Sequence, residues 1–119
     1  MVITTQLGNH AEQLVADHLT AQGFKILEQN YKKKFGEIDI IAQKDDLLVF
    51  VEVKMRTTEH FDSSTLVTVS KQRKIINVAH QYIGAHTKGD NICRLDVALV
   101  GIKNNIPYIT YLPNAFGEE

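Results

Sequence analysis

The sequence predicts a mixed α/β fold in which a sheet of five strands is flanked by helices, in the order α-β-β-β-α-β-β. Two stretches, near residues 5–22 and 70–83, carry apolar residues at helical spacing. Five other stretches are rich in branched and aromatic residues, and turn-forming residues separate them. The chain has 119 residues, of which 44% are hydrophobic, and this suits a single domain over residues 1–119.

The first helix is predicted over residues 5–22, with Gly23 as its C-terminal stop. Its apolar positions lie near helical spacing and are Leu7, Ala11, Leu14, Val15 and Leu19. Residues 24–31 follow as the first strand, which leads into a run of three lysines. Glu12 is offset from the apolar stripe of the helix, so the residues alone favour a solvated side chain there.

Residues 37–42 and 47–54 are predicted to form a hairpin, because both are rich in branched residues and a short polar segment joins them. Asp45 and Asp46 are the expected central residues of its turn. One face of this hairpin is wholly apolar and is predicted to be core: Ile38, Ile40, Ala42, Val49, Val51 and Val53.

The register of this hairpin places Asp39 opposite Glu52, on the face that also carries Glu37 and Lys54. Opposed residues of an antiparallel pair have Cα atoms about 4.5–5.5 Å apart, and like charges there are destabilising. A divalent cation would compensate, since Mg²⁺ binds one or two protein carboxylates together with substrate phosphate. Lys54 could then orient the attacking water in phosphodiester hydrolysis. The pattern predicts a divalent-metal site.

A purely structural ion-paired sheet end is the alternative interpretation of the same four residues. Glu37 would pair with Lys54, and Asp39 would find another cation. Three carboxylates and one ammonium nevertheless leave one acid without a partner on the hairpin, which favours a bound cation.

The second half of the chain begins with a polar stretch over residues 57–69, predicted to be a mobile loop beside the cleft, with His60 as a surface histidine. Ser70 is the predicted N-cap of the second helix. The buried stripe of that helix is predicted to be Ile75, Ile76, Val78, Ala79, Tyr82 and Ile83.

The chain ends in a second predicted hairpin, formed by residues 92–102 and 106–112 around two asparagines. Pro107 indicates that its return strand lies at a sheet edge. Arg94 and Asp96 share a face of the first of these strands and are predicted to pair or to support the fold.

The overall charge does not favour nucleic-acid binding, because the formal net charge is −1 and the pI is near 6.5. The cations are nevertheless grouped, and the candidate nucleic-acid contacts are Lys32, Lys33, Lys34, Arg56, Lys71, Arg73 and Lys74. Lys71, Arg73 and Lys74 lie in the first turns of the second helix, where the helix macrodipole disfavours cations. A phosphate bound at this helix end would make the interaction of these cations favourable. Solvated side chains are the alternative.

Other features limit the class of protein. No stretch approaches the roughly 18 apolar residues of a membrane span, and the N-terminus lacks a secretory signal, so a cytoplasmic protein without membrane contact is expected. Cys93 is the only cysteine, which excludes an internal disulfide, and it is predicted to be a small core residue. The histidines show no helical pair at ligand spacing, which argues against zinc.

Residues 36–42 and 48–56 resemble the signature of the YraN-like family of small bacterial proteins. That family is placed in the PD-(D/E)XK nuclease superfamily with restriction endonucleases and archaeal Holliday junction resolvases. The resemblance extends over nearly the whole chain, through Gly8 with Glu12 and through residues 71–73, 94–97 and 114–116. It implies a restriction endonuclease-like core.

The resemblance also implies roles for individual residues. Asp39, Glu52 and Lys54 would take the catalytic positions, with Glu12 and Gln72 as supporting residues borne on the helices. Asp39 and Glu52 would bind Mg²⁺ or Mn²⁺, with the Val53 carbonyl as a third ligand. The expected function is a metal-dependent nuclease that acts on DNA, with branched or junction DNA as the implied substrate.

A different class of function stays open. A non-catalytic module could keep the nuclease fold and use it to hold nucleic acid or a protein partner, and the near-neutral net charge favours this alternative slightly. A homodimer would suit a junction resolvase, although no apolar interface is readable from the sequence.

Overall fold

The computed structural model describes residues 2–56 and 67–117, with side chains over residues 10–56 and 67–117. Its elements are α1 (Val2–Ala21), β1 (Lys25–Lys33), β2 (Gly36–Lys44), β3 (Leu47–Met55), α2 (Val69–His86), β4 (Ile92–Lys103) and β5 (Ile106–Phe116). The predicted order of helices and strands is confirmed. The predicted loop lies outside the described residues from position 57 to 66, and so does His60.

The five strands form one sheet in the order β1-β2-β3-β4-β5. Neighbouring strands are antiparallel except β3 and β4, which run parallel. Parallel neighbours need a long crossover connection, and α2 lies within it. The sheet is therefore mixed, as predicted, and Pro107 lies on the edge strand β5, also as predicted.

The β2–β3 hairpin turns at residues 45–46, where Asp45 has a φ of 54°, in the left-handed region that aspartate tolerates. The predicted register is confirmed from the turn as far as the pair Ile40–Val51. Main-chain pairing between β2 and β3 ends there, one residue before Asp39 would meet Glu52. The hairpin therefore opens at the end that carries the acids.

The sheet has an apolar core on each face. The core beneath α1 consists of Ala11, Val15, Ala16, Leu19, Ile40, Ala42, Val49, Val51, Ala98 and Val100. The core beneath α2 consists of Ile38, Ile41, Leu48, Phe50, Val67, Ile75, Val78, Ala79, Tyr82, Val97 and Leu99. Burial on both faces explains why the central strands are nearly continuous apolar runs.

Ile38 corrects one detail of the predicted hairpin. It was expected on the face of Ile40, but it packs in the α2 core while Ile40 packs in the α1 core. The start of β2 has lost its pairing with β3 and lies against α2, where a Cβ built on Gly36 would come within 3.2 Å of Val78. Strict alternation of side chains requires a continuous ladder, which is absent here.

Three further details differ from the predictions. Thr68 is the N-cap of α2 rather than Ser70, because its hydroxyl accepts a hydrogen bond from the Lys71 amide at 3.2 Å. Cys93 is exposed, so its predicted burial is wrong; it lies at the start of β4, before the buried part of that strand. β5 runs on to Phe116, past the predicted end at residue 112.

Neither α1 nor α2, as far as the chain is described, is long and apolar enough to cross a membrane.

Candidate metal centre

The end of the β2–β3 hairpin opposite the turn carries a pair of acids. Asp39 Oδ2 accepts a hydrogen bond at 2.8 Å from the main-chain amide of Val53. This side-chain bond occupies an amide of β3 just beyond the last main-chain pair of the hairpin. Asp39 is thereby held against β3, and it lines the same cavity as Glu52. The two carboxylates meet across the hairpin.

The cavity has a volume of about 270 Å³ and lies between the open end of the hairpin and the first turns of α2. Its strand side is formed by Gly36, Glu37, Asp39 and Glu52, and its helix side by Thr68, Ser70, Lys71, Lys74 and Ile75. The sheet therefore supplies the acidic wall and the helix the basic one.

The pKa of Asp39 shows how closely the two acids interact. Burial raises the pKa of Asp39 to about 8, and so do the charge of Glu52 and a side-chain hydrogen bond to it. The hydrogen bond from the Val53 amide opposes this rise, and it is the weaker influence. Two carboxylates that share one site cannot both ionise without a compensating cation. The pair therefore retains a proton near neutral pH unless a cation binds.

Glu52 has a partner from the helix. Its side chain is only 5% exposed and forms an ion pair with Lys71 Nζ. The hydrogen bond to Glu52 raises the pKa of the Lys71 ammonium, and the charges of Glu52, Asp39 and Glu37 add to this against the effect of burial. The structure thus brings to the site a lysine that the sequence analysis placed only among the nucleic-acid contacts.

Glu12 and Glu37 enlarge the negative charge around this pair. Glu12 is half-buried on α1, and its pKa is raised by burial, then by the charge of Glu37, with a smaller contribution from Glu52. A hydrogen bond with Asn30 and the charge of Lys32 lower that pKa. The supporting position implied for Glu12 is therefore close enough to the acids to interact with them electrostatically.

The donor set fits a hard divalent cation that keeps part of its own hydration. Within the described residues, no group of three or more His, Cys, Asp or Glu side chains is arranged to hold a metal ion. Asp39 and Glu52 nevertheless supply two carboxylates to one cavity, and Mg²⁺ usually takes only one or two from the protein. Val53, the predicted third ligand, donates its main-chain amide to Asp39 at the same point but is not among the residues that line the cavity.

Two of the predicted catalytic residues lie elsewhere. Lys54 is exposed and does not line the cavity. Gln72 donates from Nε2 to the Val67 carbonyl at 2.9 Å, which ties the start of α2 to the segment before it, and its side chain lines a separate groove on the other flank of the helix. The Glu37–Lys54 ion pair of the structural alternative is not formed among the described side chains.

The predicted nucleic-acid contacts are spread over several surfaces. Lys71 and Lys74 line the cavity, whereas Arg73 faces the groove on the other flank of α2. Lys33 and Lys34 lie over the rings of neighbouring aromatic residues, at 5.2 and 5.3 Å from the ring centroids. The remaining two are Lys32, which pairs with Glu37 in the β1–β2 ladder, and Arg56, whose amide donates to the Val100 carbonyl.

A second acidic centre on the other face of the sheet was only partly predicted. Asp96 is fully buried and pairs with Arg94 as expected, through contacts of 2.9 and 3.0 Å. It also accepts from the Tyr111 hydroxyl and from the Asn114 amide at 2.8 Å. The Asn114 contact lies where the β4–β5 ladder is irregular, between Leu95 and Val97, which local sequence does not signal, whereas Tyr111 lies in the regular part of the ladder opposite Ala98.

Comparison with known proteins identifies the family. Residues 11–100 match the family described as "Uncharacterised protein family UPF0102". The chain belongs to this family. It is 41% identical over 112 residues to a UPF0102 protein of Nitrosomonas europaea, covering 93% of each chain. It is 42% identical over 116 residues to a UPF0102 protein of a Sulfurihydrogenibium species, covering 97% of each.

A third relative agrees with this assignment. A UPF0102 protein of Vibrio parahaemolyticus is 41% identical over 115 residues, which cover 95% of this chain and 93% of the relative. UPF0102 is the YraN-like family, so the resemblance noted from the hairpin signature is confirmed at the level of the family. The matched span contains Glu12, Asp39, Glu52 and Lys71.

Proposed function

We propose that this UPF0102 protein is a metal-dependent nuclease that hydrolyses phosphodiester bonds of DNA, with branched or junction DNA as the preferred substrate. The observation that carries the proposal is the pair Asp39 and Glu52, two carboxylates facing one cavity, where burial and then the charge of Glu52 raise the pKa of Asp39. The resemblance to restriction endonucleases and Holliday junction resolvases supports the type of reaction and the branched substrate.

Asp39, Glu52 and the Val53 carbonyl would hold the Mg²⁺ or Mn²⁺ ion. When bound, the ion would supply Lewis acidity and a water of lowered pKa. The Val53 amide fixes the orientation of the Asp39 carboxylate through the hydrogen bond at 2.8 Å. Preorganised ligands of this kind need no rearrangement when the substrate arrives.

The helix side of the cavity suits a phosphate. Lys71 and Lys74 lie on the first turns of α2, where the main-chain N–H groups also attract anions. A phosphodiester entering the cavity would thus meet cations on the helix side and the acids on the sheet side. Only two of the seven predicted cationic contacts line the cavity, so we expect weak binding with a shallow dependence on salt.

Cleavage of defined DNA substrates tests the proposal. Purified protein is incubated with linear, flapped, four-way and single-stranded DNA in Mg²⁺ or Mn²⁺, beside Asp39→Asn and Glu52→Gln. We expect cleavage of the branched substrates and a loss of about a hundredfold or more in each variant. Asp90→Asn is the matched control, because Asp90 is an exposed acid in the turn after α2. Equal cleavage by Asp39→Asn and the wild type would reject the site.

A binding module without catalytic activity is the second candidate. It is favoured by the Lys71–Glu52 ion pair, which already neutralises one of the two acids without a metal. A module would bind four-way DNA in a mobility-shift assay to the same extent in the wild type and in Glu52→Gln, with no cleavage by either. A nuclease would cleave, and only the wild type would do so.

A further inference from the structure

The ammonium that reaches the acidic wall comes from α2 and not from β3. Lys71 Nζ contacts Glu52 Oε2, whereas Lys54, two residues beyond Glu52 on the same strand, is exposed and lies outside the cavity lining. The hairpin pattern in the sequence predicts position 54 for the reaction's lysine. The geometry assigns the contact with the acids to position 71.

The two ends of the Lys71–Glu52 pair differ in exposure. Glu52 is 5% exposed and held in a central strand, while Lys71 is 54% exposed on the first turn of a helix. The lysine stem is flexible and ends in a compact charge. Glu52 is therefore a fixed acceptor, and Lys71 is the partner that can leave without disturbing the core.

A divalent cation and Lys71 cannot both take Glu52 as their main partner. A bound cation would use the oxygens of Glu52 and repel the ammonium beside it. Lys71 would then turn away from the sheet, toward the exposed residues that line the helix side of the cavity, which include Thr68, Ser70 and Lys74.

We propose that Lys71 is an exchangeable cation of this site, neutralising Glu52 in the metal-free protein and contacting the substrate phosphate once a divalent cation takes its place. This rests on the nuclease function proposed above. Lys71, and not Lys54, is then the lysine on which cleavage depends most strongly.

Mn²⁺ titration by calorimetry, without DNA, tests the exchange directly. Lys71→Met removes the competitor, so it should bind Mn²⁺ about tenfold more tightly than the wild type. Lys71→Arg keeps the charge and should stay within about threefold. Lys88→Met is the matched control, since Lys88 follows the far end of the same helix, and its affinity should equal the wild-type value. In a Glu52→Gln background, Lys71→Met should have no further effect.

The outcomes separate this inference from the proposed function. Mn²⁺ binding by the wild type with the same affinity in Lys71→Met overturns the exchange and leaves the nuclease proposal intact. Absence of Mn²⁺ binding in every variant overturns both.

In cleavage assays, Lys71→Met should lose about a hundredfold in kcat despite its tighter metal binding, and Lys54→Met should lose less. The reverse ranking of the two lysines also overturns the inference.

Discussion

Two buried acidic centres lie on opposite faces of the same sheet and are neutralised in different ways. On the α1 face, Asp96 is fully buried and receives hydrogen bonds from Arg94, Tyr111 and the Asn114 amide. On the α2 face, Asp39 and Glu52 share one cavity, and their one contacting cation is the exposed Lys71 among the side chains the structure describes.

The difference distinguishes a carboxylate that stabilises the fold from a pair of carboxylates that can bind a ligand. A buried carboxylate whose oxygens are all used by fixed donors gains nothing from a metal, and its loss leaves those donors unpaired. A pair of acids whose contacting cation is an exposed lysine keeps carboxylate oxygens that a ligand can use. The contrast therefore predicts opposite responses to substitution in the two centres.

Loss of the Asp96 carboxylate should have the largest effect on stability. Asp96→Ala leaves Arg94 and the Tyr111 hydroxyl without their shared acceptor, and we expect a cost of about 3–5 kcal/mol in the free energy of unfolding. Urea denaturation measures it. Asp90→Ala, at an exposed turn position, should stay within about 0.5 kcal/mol of the wild type. A cost below about 1 kcal/mol for Asp96→Ala would show that the two centres do not differ as argued.

A bound divalent cation should stabilise the folded protein through the Asp39–Glu52 centre. Mn²⁺ at about a hundred times its Kd should raise the free energy of unfolding by about 2.7 kcal/mol in the wild type, because it binds only the folded state. Asp39→Asn and Glu52→Gln should lose this increment. Thermal melting with and without Mn²⁺ gives the comparison, and Asp90→Asn should respond as the wild type does. Stabilisation that persists in Asp39→Asn would place the ion at another site.

The local pattern predicted much of this contrast, because the register of a short hairpin follows from its turn. Asp45 and Asp46 fixed the pairing of β2 with β3, and strand periodicity then brought Asp39 and Glu52 together. The pairing of Arg94 with a residue on the same strand was predicted for the same reason, and the structure confirms it. Contacts within one strand or hairpin are readable from spacing.

Contacts between distant elements were not readable. Lys71 reaches Glu52 only because α2, after a crossover of many residues, packs its first turn over the open end of the hairpin. Within the β4–β5 hairpin, the Asn114 amide reaches Asp96 because the ladder is irregular between Leu95 and Val97 and Asn114 has a φ of 52°. No periodicity in the sequence predicts how these segments pack. The lysine that contacts the acids was therefore predicted on the strand instead of the helix.

A pH dependence is also expected from the α2-face centre. The folded-state pKa of Asp39, about 8, lies above its value in the unfolded chain, so the folded protein binds more protons between roughly pH 4 and 8. Stability of the metal-free protein should therefore fall as pH rises through this window. Asp39→Asn cannot titrate there, and its Oδ1 can still accept from Val53, so its stability should change less.

Urea denaturation in EDTA at pH 5, 6, 7 and 8 measures this difference between the wild type and Asp39→Asn. The two curves should converge toward pH 5 and separate toward pH 8, with the wild type the less stable. Adding Mn²⁺ should reverse the wild-type slope, because ligand carboxylates must lose their proton to bind a cation. Parallel curves in EDTA would mean that the two acids are not close enough to share a proton, and the metal hypothesis would lose its electrostatic basis.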